Sequence, residues 1–390
     1  MRCCYICCMF ASSQSPRPAR IAVSTFFFMA GICFASWASR IPDIQHHLHL
    51  NDAGLGSVLF ALPVGSMLSL PFSGMLVAKL GSRFTMIGAT LLYAALLCSI
   101  GFVDATWQLV TALFFFGVAG NMMNISMNTQ AVGVEALYGR SVMASFHGLW
   151  SLAGFSGAAI GSLMIAKTAS PLLHFLLIAV LVLLLVLIVN KYALRNDTRQ
   201  GNTSFKIAWP HPSLMKLGII SFCCMACEGC MFDWSGIYFR EEVHAPQNLV
   251  TLGYTVFMAT MASGRFVADW LVTKTGVKNT LRLSGTLISV GLLSAVIFPN
   301  IYAATAGFFL TGLGVSSVVP LIYGLAGKSK FMNASMAIAA VSTVGYLGFL
   351  FGPPLIGYIS QASSLRWSFA VMAVLGFGTA LLASKAETVK

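Results

Sequence analysis

The sequence predicts an all-α polytopic membrane protein, with twelve transmembrane helices arranged as two pseudo-symmetric six-helix bundles. Three observations predict it. Of 390 residues, 57% are hydrophobic and only 9% charged, with a mean hydropathy of +0.83; a soluble domain carries about 25% charged residues. Apolar runs long enough to span a bilayer, about 20 residues each, recur along the whole chain. A loop motif recurs half a chain apart.

The apolar segments fall at 21–38, 53–77, 84–103, 107–130, 142–166 and 171–190, each ended by charges or turn residues. A polar stretch, 191–212, follows. Six more segments occupy 213–238, 251–271, 280–299, 302–325, 334–359 and 367–384. This order divides the chain into a tail (1–20), a first bundle (21–190), a linker (191–212), a second bundle (213–384) and a second tail (385–390). The run from Ile21 is long enough to span and has no small-residue cleavage site followed by a soluble domain, so it reads as a span and not as a cleaved signal.

So few charges exclude a water-soluble enzyme, a disordered protein and a nucleic-acid binder, despite a net charge of +12. The basic excess has a membrane explanation. With the amino terminus inside, the inner segments hold 17 Lys and Arg and the outer loops hold four: Arg40, Lys167, Arg240 and Arg366. The expected location is therefore the cell inner membrane, in contact with the lipid bilayer, with both termini and the linker cytoplasmic. Six of the ten cysteines (Cys33, Cys98, Cys223, Cys224, Cys227, Cys230) lie in apolar runs and read as small hydrophobes. The other four, in MRCCYICC, leave open a metal or lipid attachment or a true start near Met9.

The internal repeat sets the architecture. Leu76-Val-Ala-Lys-Leu-Gly-Ser-Arg83 returns as Leu271-Val-Thr-Lys-Thr-Gly-Val-Lys278, 195 residues later, and the same offset pairs Gly117 with Gly312. Two duplicated halves imply a transporter whose site lies between them. At these loops the chain resembles the major facilitator superfamily, whose signature is a glycine, an Asp-Arg pair and then Gly-Arg-Lys. The first copy reads Gly74 to Arg83, with Lys79, Gly81 and Arg83 as matches and Ala78 where the acid would stand. The second holds Gly264-Arg265, Asp269, Lys274, Gly276 and Lys278. The resemblance implies gating roles for Lys79, Gly81, Arg83, Arg265, Asp269, Lys274 and Gly276. Ala35 to Pro42 and Asp233 to Tyr238 look, more narrowly, like the YbjJ-type bacterial inner-membrane proteins.

Ionisable residues inside spans are functional candidates because hydrocarbon makes each costly. Glu228 lies about 22 Å along the seventh span and Asp233 about 30 Å, at about 1.5 Å per residue. Glu228 is read as a proton or substrate group, or as an ion pair with Arg265. Asp233 is read as a second proton group, or as a helix cap. Asn121, Asn124 and Asn128 share one helix face; their amides suit a neutral polar solute or serve as interhelical bonds. Trp150, Trp234 and Tyr346 offer an apolar wall with a polar handle. His147 reads as a gate or relay, although the Ser151, Gly154, Gly157 and Gly161 stripe beside it favours close helix packing. The run 176–189 has no polar side-chain atom and should face lipid. Gly352-Pro353-Pro354 is expected to kink its helix.

Cys227-Glu-Gly-Cys230 has metal-ligand spacing on an apolar helix and reads as core packing. Gly324 to Ser329 lacks the first glycine of a phosphate loop, since Ile322 stands there, and no strand precedes it. No catalytic grouping, metal site or cofactor signature emerges, so transport would be driven by a gradient. The expected function is a secondary active transporter, proton-coupled, moving a small-molecule solute that is polar or neutral by alternating access. The alternatives are an efflux antiporter for lipophilic cations and a transport-inactive membrane sensor.

Overall fold

The computed structural model describes residues 16–139, 142–195, 211–329 and 334–384, without the side chains of 144, 213, 269, 334 and 335. The amino-terminal cysteines, most of the linker and the tail 385–390 lie outside the described residues. The chain forms α1 (Pro16–Ser39), α2 (Ile41–His47), α3 (Asp52–Leu59), α4 (Ala61–Leu80), α5 (Ser82–Ile100), α6 (Thr106–Tyr138), α7 (Met143–Ala166), α8 (Pro171–Val189), α9 (Pro212–Glu241), α10 (Leu252–Ile297), α11 (Ile301–Ala326), α12 (Ala334–Ala362) and α13 (Leu365–Ser384). No strand occurs among the described residues. Short polar side chains start several helices, as expected of N-caps: Asn51, Ser170 and Asn300 each accept the amide three residues on.

Eleven helical segments are long and apolar enough to cross a membrane, α3 and α4 together forming one of them. The twelfth crossing is hidden in the 46 residues of α10, which break at Gly276 (φ 77°, ψ 159°). The two arms of α10 run in opposite directions against α11. Before the break, a side chain at Gly312 would strike Phe257, and one at Gly264 would strike Ser316, so residue numbers rise together. After it, Gly314 lies on Ser284 and Ile288 while Gly307 lies on Gly291, so they run oppositely. The first arm carries Arg265, Asp269 and Lys274.

The repeat is also geometric. Gly81 ends α4 at φ 84°, ψ 154°, nearly the values at Gly276, in a region open essentially to glycine alone. A Cβ at Gly117 would land on the carbonyl of Leu62, and one at Gly312 on that of Phe257; Leu62 and Phe257 are themselves 195 residues apart. Likewise α1 packs on α7 through Gly31 and Gly157, and α9 on α12 through Gly345 and Gly348. Close packing is thus what Gly157 and Gly161 do, whereas Gly154 faces Met258 of the other half.

Two sequence expectations need adjustment. Helix α6 runs to Tyr138, well past 130, because Glu135 accepts the amides of Val142 and Met143 and Gly139 closes the helix in the left-handed region. The run 176–189 is lipid-like on one face only: Leu184, Leu187 and Ile188 are exposed, but Val182 and Val186 are buried.

The two ends of the molecule differ. At the end away from Pro16 and Ser384, the distal end, the halves are joined by polar bonds. Arg240 donates to the Pro42 carbonyl and to Gln45, Gln45 donates to Asp52 (3.1 Å), and Ser360 donates to Asp52. Ser162 meets Thr251 (2.6 Å) and Thr255 (3.1 Å). Behind them, buried Arg40 binds Asp43 (2.6 Å), the Ala169 carbonyl (3.0 Å) and His174 Nδ1 (3.3 Å). At the proximal end, Lys79, Lys274 and His147 are exposed.

Candidate functional site

Glu228 and Arg265 meet between the distal latch and the exposed proximal end. Glu228, on α9, is buried, and its Oε1 lies 3.7 Å from Nη2 of Arg265 on the first arm of α10. That separation is an ion pair without a good hydrogen bond. Arg265 Nη1 donates to Ser151 Oγ on α7, in the other half, and Ser151 Oγ in turn reaches the His147 carbonyl at 3.1 Å. The only further partner of the guanidinium among the described residues is Met261 Sδ at 3.9 Å, and its buried Nε has none. A five-donor fork with one strong acceptor and one loose countercharge has capacity to spare.

Aromatic rings close the distal side of this pair. Phe232, one turn beyond Glu228, packs edge-on against Phe34 of α1 (5.3 Å between ring centres), and Phe34 lies 6.2 Å from Trp150. Phe232 also stacks on Phe349 (6.2 Å), which neighbours Tyr346 (6.5 Å). The chain of rings therefore crosses from one half to the other. Tyr346 is 53% exposed, and Trp150, Phe34 and Phe349 are half-buried, so these rings are only partly covered by the protein. Two surface grooves lie elsewhere. One, of about 770 Å³, is lined by Leu252, Ile301, Tyr302 and Phe309, and the other, of about 800 Å³, by Arg17, Arg20, Tyr138 and Leu185.

The sequence pattern of the Major Facilitator Superfamily matches residues 21–330 and again 217–388, together nearly the whole chain. The chain belongs to the Major Facilitator Superfamily. It is 35% identical to an "Uncharacterized MFS-type transporter" of Yersinia pestis, over 91% of this chain and 92% of that one. It is 30% identical to "Membrane protein MosC" of Rhizobium meliloti, over 91% and 87%. Among solved structures it is similar to the nucleoside transporter NupG (TM-score 0.75, 12% identity, 95% of this chain and 100% of that one). It is also similar to a bacterial homolog of the human lysosomal transporter Spinster, inward-facing and unoccupied (0.75, 13%, 96% and 97%). The chain is thus a membrane transporter of this family and not an enzyme.

On the superfamily fold, the sequence-derived candidates separate into two groups. Glu228, Arg265, Trp150 and Tyr346 converge at the centre, and His147 lies one turn proximal to Ser151, toward the exposed end, with its ring edge-on to Phe27 (5.2 Å). Trp234 does not join them: it is fully buried, so it forms no wall of the open space, and its indole N–H has no partner among the described residues. The Asn121 amide is engaged inside its own bundle, donating to Ser69 (2.9 Å) and Ser73 (3.2 Å) on α4. Asn124 is exposed, and Asn128 donates back to its carbonyl (2.8 Å) and its side chain (3.3 Å). Asp233 is half-buried.

Of the expected gate residues, Arg265 is the one seen to bond across the halves among the described residues, through Ser151. Lys79 is exposed, Arg83 lies over Phe84 (6.0 Å), and Lys274 lies over Trp270 (4.5 Å). The Asp269 side chain lies outside the described residues. The buried cysteines pack: Cys227 Sγ donates to the Met372 carbonyl (3.2 Å) and Cys224 Sγ faces that of Val315 (3.9 Å). Sequence reasoning missed Phe34, Phe232 and Phe349, since phenylalanines in apolar runs carry no local signal. It also missed the distal latch, because Arg40 and Arg240 look like ordinary loop charges.

Proposed function

We propose that the chain is a proton-coupled secondary transporter that moves a small polar solute by alternating access, with Glu228 as the carboxyl that gains and loses the proton. The observation that carries this reading is the Glu228–Arg265 pair, tied across the halves through Ser151. A charge held in hydrocarbon needs a counter-charge. Protonating Glu228 removes the counter-charge of Arg265 and so biases the contact Arg265 makes with the opposite half. A group that biases a two-state interface in this way is what coupling requires.

The 17-to-4 split of Lys and Arg supports placing the proximal end in the cytoplasm of a bacterial inner membrane, with bundles at 21–190 and 213–384. The distal latch is then the closed outer gate, and the exposed His147 and Tyr346 flank an inward-open path. Likeness to an inward-facing structure supports the same assignment. The solved "Fucose:proton symporter" FucP of E. coli shares the fold (TM-score 0.62, 16% identity, 94% of this chain and 98% of that one), and its name supports proton coupling as a reading for this fold.

The test is ligand-induced thermal stabilisation of the detergent-purified protein and of Glu228→Gln. Pools of sugars, organic acids, amino acids and lipophilic cations are screened on either side of neutral pH. A ligand at 100 times its Kd adds about 2.7 kcal/mol to the folded state, which such a scan resolves. The expected result is a stabilising pool whose effect depends on pH in the wild type and not in Glu228→Gln. A ligand whose effect follows pH equally in both proteins removes Glu228 from the coupling role.

A further inference from the structure

The same central pair points to the charge of its solute, an inference that rests on the coupling role proposed for Glu228. Arg265 is permanently cationic at any physiological pH. Its side chain is only a quarter exposed, deep in a membrane-spanning helix. Its fork holds Ser151, a distant Met261 sulfur and a carboxylate at 3.7 Å, and its buried Nε–H points at no acceptor among the described residues. Whatever state Glu228 is in, this guanidinium requires one negative charge beside it. With Glu228 ionised, Glu228 supplies that charge. With Glu228 protonated, Arg265 has no other carboxylate partner among the described side chains, the other titratable groups that face the pair being His147, Cys224, Tyr323 and Tyr346. The planar fork keeps unmet donors beside the half-buried rings of Trp150, Phe34 and Phe349.

From this geometry we infer that the transported solute is a small organic monoanion, a carboxylate on a flat or apolar body, which takes the place of the Glu228 carboxylate at Arg265 while Glu228 holds the coupled proton. Carboxylate geometry matches the guanidinium fork and accepts two parallel N–H bonds. A single charge fits because it restores the neutrality that protonation of Glu228 removes. A phosphate dianion would leave a surplus negative charge and a lipophilic cation would leave two unbalanced positive ones. The rings supply dispersion and apolar contact to the body of the solute. One proton and one monoanion then cross together, so the step is electroneutral and insensitive to membrane potential.

The experiment compares three probes of one shape and different charge, phenylacetate, phenylacetamide and phenethylamine, with a neutral monosaccharide as a fourth. Binding to the full-length purified protein is read by thermal shift and calorimetry one pH unit either side of neutrality; binding avoids the passive leak of weak acids through vesicles. Phenylacetate is expected to bind the wild type more tightly at the lower pH. Glu228→Gln, which mimics the protonated acid, is expected to bind it equally at both. Because Arg265→Gln alone leaves Glu228 unpaired and can fail to fold, the double variant Glu228→Gln/Arg265→Gln keeps the pair neutral. It is expected to fold and to bind phenylacetate about tenfold or more weakly, the loss of a charged hydrogen bond.

The outcomes separate the two ideas. If phenylacetamide or the sugar binds as well as phenylacetate and its pH dependence vanishes in Glu228→Gln, the anion inference falls and the coupling role stands. If phenylacetate binds with the same pH dependence in both proteins, yet is lost in the double variant, the anion site stands and the coupling role falls. Preference for phenethylamine, or no shift with phenylacetate at either pH, overturns the inference outright.

Discussion

The two halves of the molecule are alike in packing and unlike in chemistry. At an offset of 195 residues the positive-φ turns repeat, Gly81 with Gly276, and so do the close-approach positions, Gly117 with Gly312 and Leu62 with Phe257. The site positions do not repeat. Glu228 corresponds to Cys33, Arg265 to Leu70, Asn124 to Val319, Asn128 to Tyr323 and Ser151 to Tyr346. Backbone contacts are under the same steric demand in both halves, since two helices cannot approach closely over a side chain. A solute between the halves sees both at once, so the two faces are free to divide the polar groups between them. The carboxylate and the guanidinium lie in the second half, and the hydroxyl that joins them to the first half lies on α7.

The sharpest way to break that comparison is to move the carboxyl to its counterpart. Cys33 is 1% exposed in the core of the first bundle, and Leu70 offers no base. Cys33→Glu should therefore leave an unpaired acid in an apolar site and cost on the order of 3–5 kcal/mol, enough to deplete folded protein. Glu228→Cys leaves Arg265 without its carboxylate, but that side chain is a quarter exposed, so the expected cost is smaller, about 1–3 kcal/mol after discounting for solvent. Thermal unfolding and the yield of monodisperse protein compare the two. A Cys33→Glu protein as stable as Glu228→Cys would mean that the halves are chemically interchangeable.

The repeated packing positions make the opposite prediction, of equality. Alanine at Gly117 or Gly312 puts a methyl onto a backbone carbonyl of the neighbouring helix, so each should cost about 1–3 kcal/mol, as overpacking does. Gly74→Ala, which meets nothing within 4 Å, should stay within about 0.5 kcal/mol of wild type. Unequal losses at Gly117 and Gly312 would show that the symmetry seen in the backbone is not one of energy. Next in size come Gly81→Ala and Gly276→Ala. Both turns hold φ near 80°, where a Cβ is strained, at about 1 kcal/mol or somewhat more each. Melting temperatures of the two variants should agree; a loss confined to one would mean that only one turn must keep this shape.

How much of this was legible in the sequence follows from what each feature depends on. The spans were legible because burial in lipid is read residue by residue, and the repeat because the loop motif keeps its spacing. The first arm of α10 was legible as the span 251–271 in spite of Arg265 and Asp269, whereas its direction against α11 shows only in the packing. Glu228, Arg265, Trp150 and Tyr346 could be nominated singly, since charges and large amphipathic rings stand out in an apolar chain. Their convergence could not, because it depends on how α7, α9, α10 and α12 meet. Trp234 was legible as a tryptophan near the candidate acid but not as a core residue, since its direction around α9 is set by packing. The engagement of Asn121 with Ser69 and Ser73 was one of two readings that the spacing allowed, and only the position of α4 separates them.

The smallest predicted effect sharpens the comparison at one matched pair. Ser151 and Tyr346 occupy corresponding positions on α7 and α12, and both carry a hydroxyl near the central pair. Ser151 Oγ accepts from Arg265 and donates to the His147 carbonyl, so Ser151→Ala leaves part of the guanidinium unmet and should cost about 1 kcal/mol. Tyr346 is 53% exposed, so water replaces whatever its hydroxyl binds, and Tyr346→Phe should fall within about 0.5 kcal/mol of wild type. Thermal unfolding without ligand measures this difference. With a bound solute the order should reverse, because Tyr346 faces the open space while Ser151 is already occupied by Arg265. If Ser151→Ala weakens solute binding more than Tyr346→Phe does, Ser151 contacts the solute directly, and the bond between the halves would have to be broken in the loaded state.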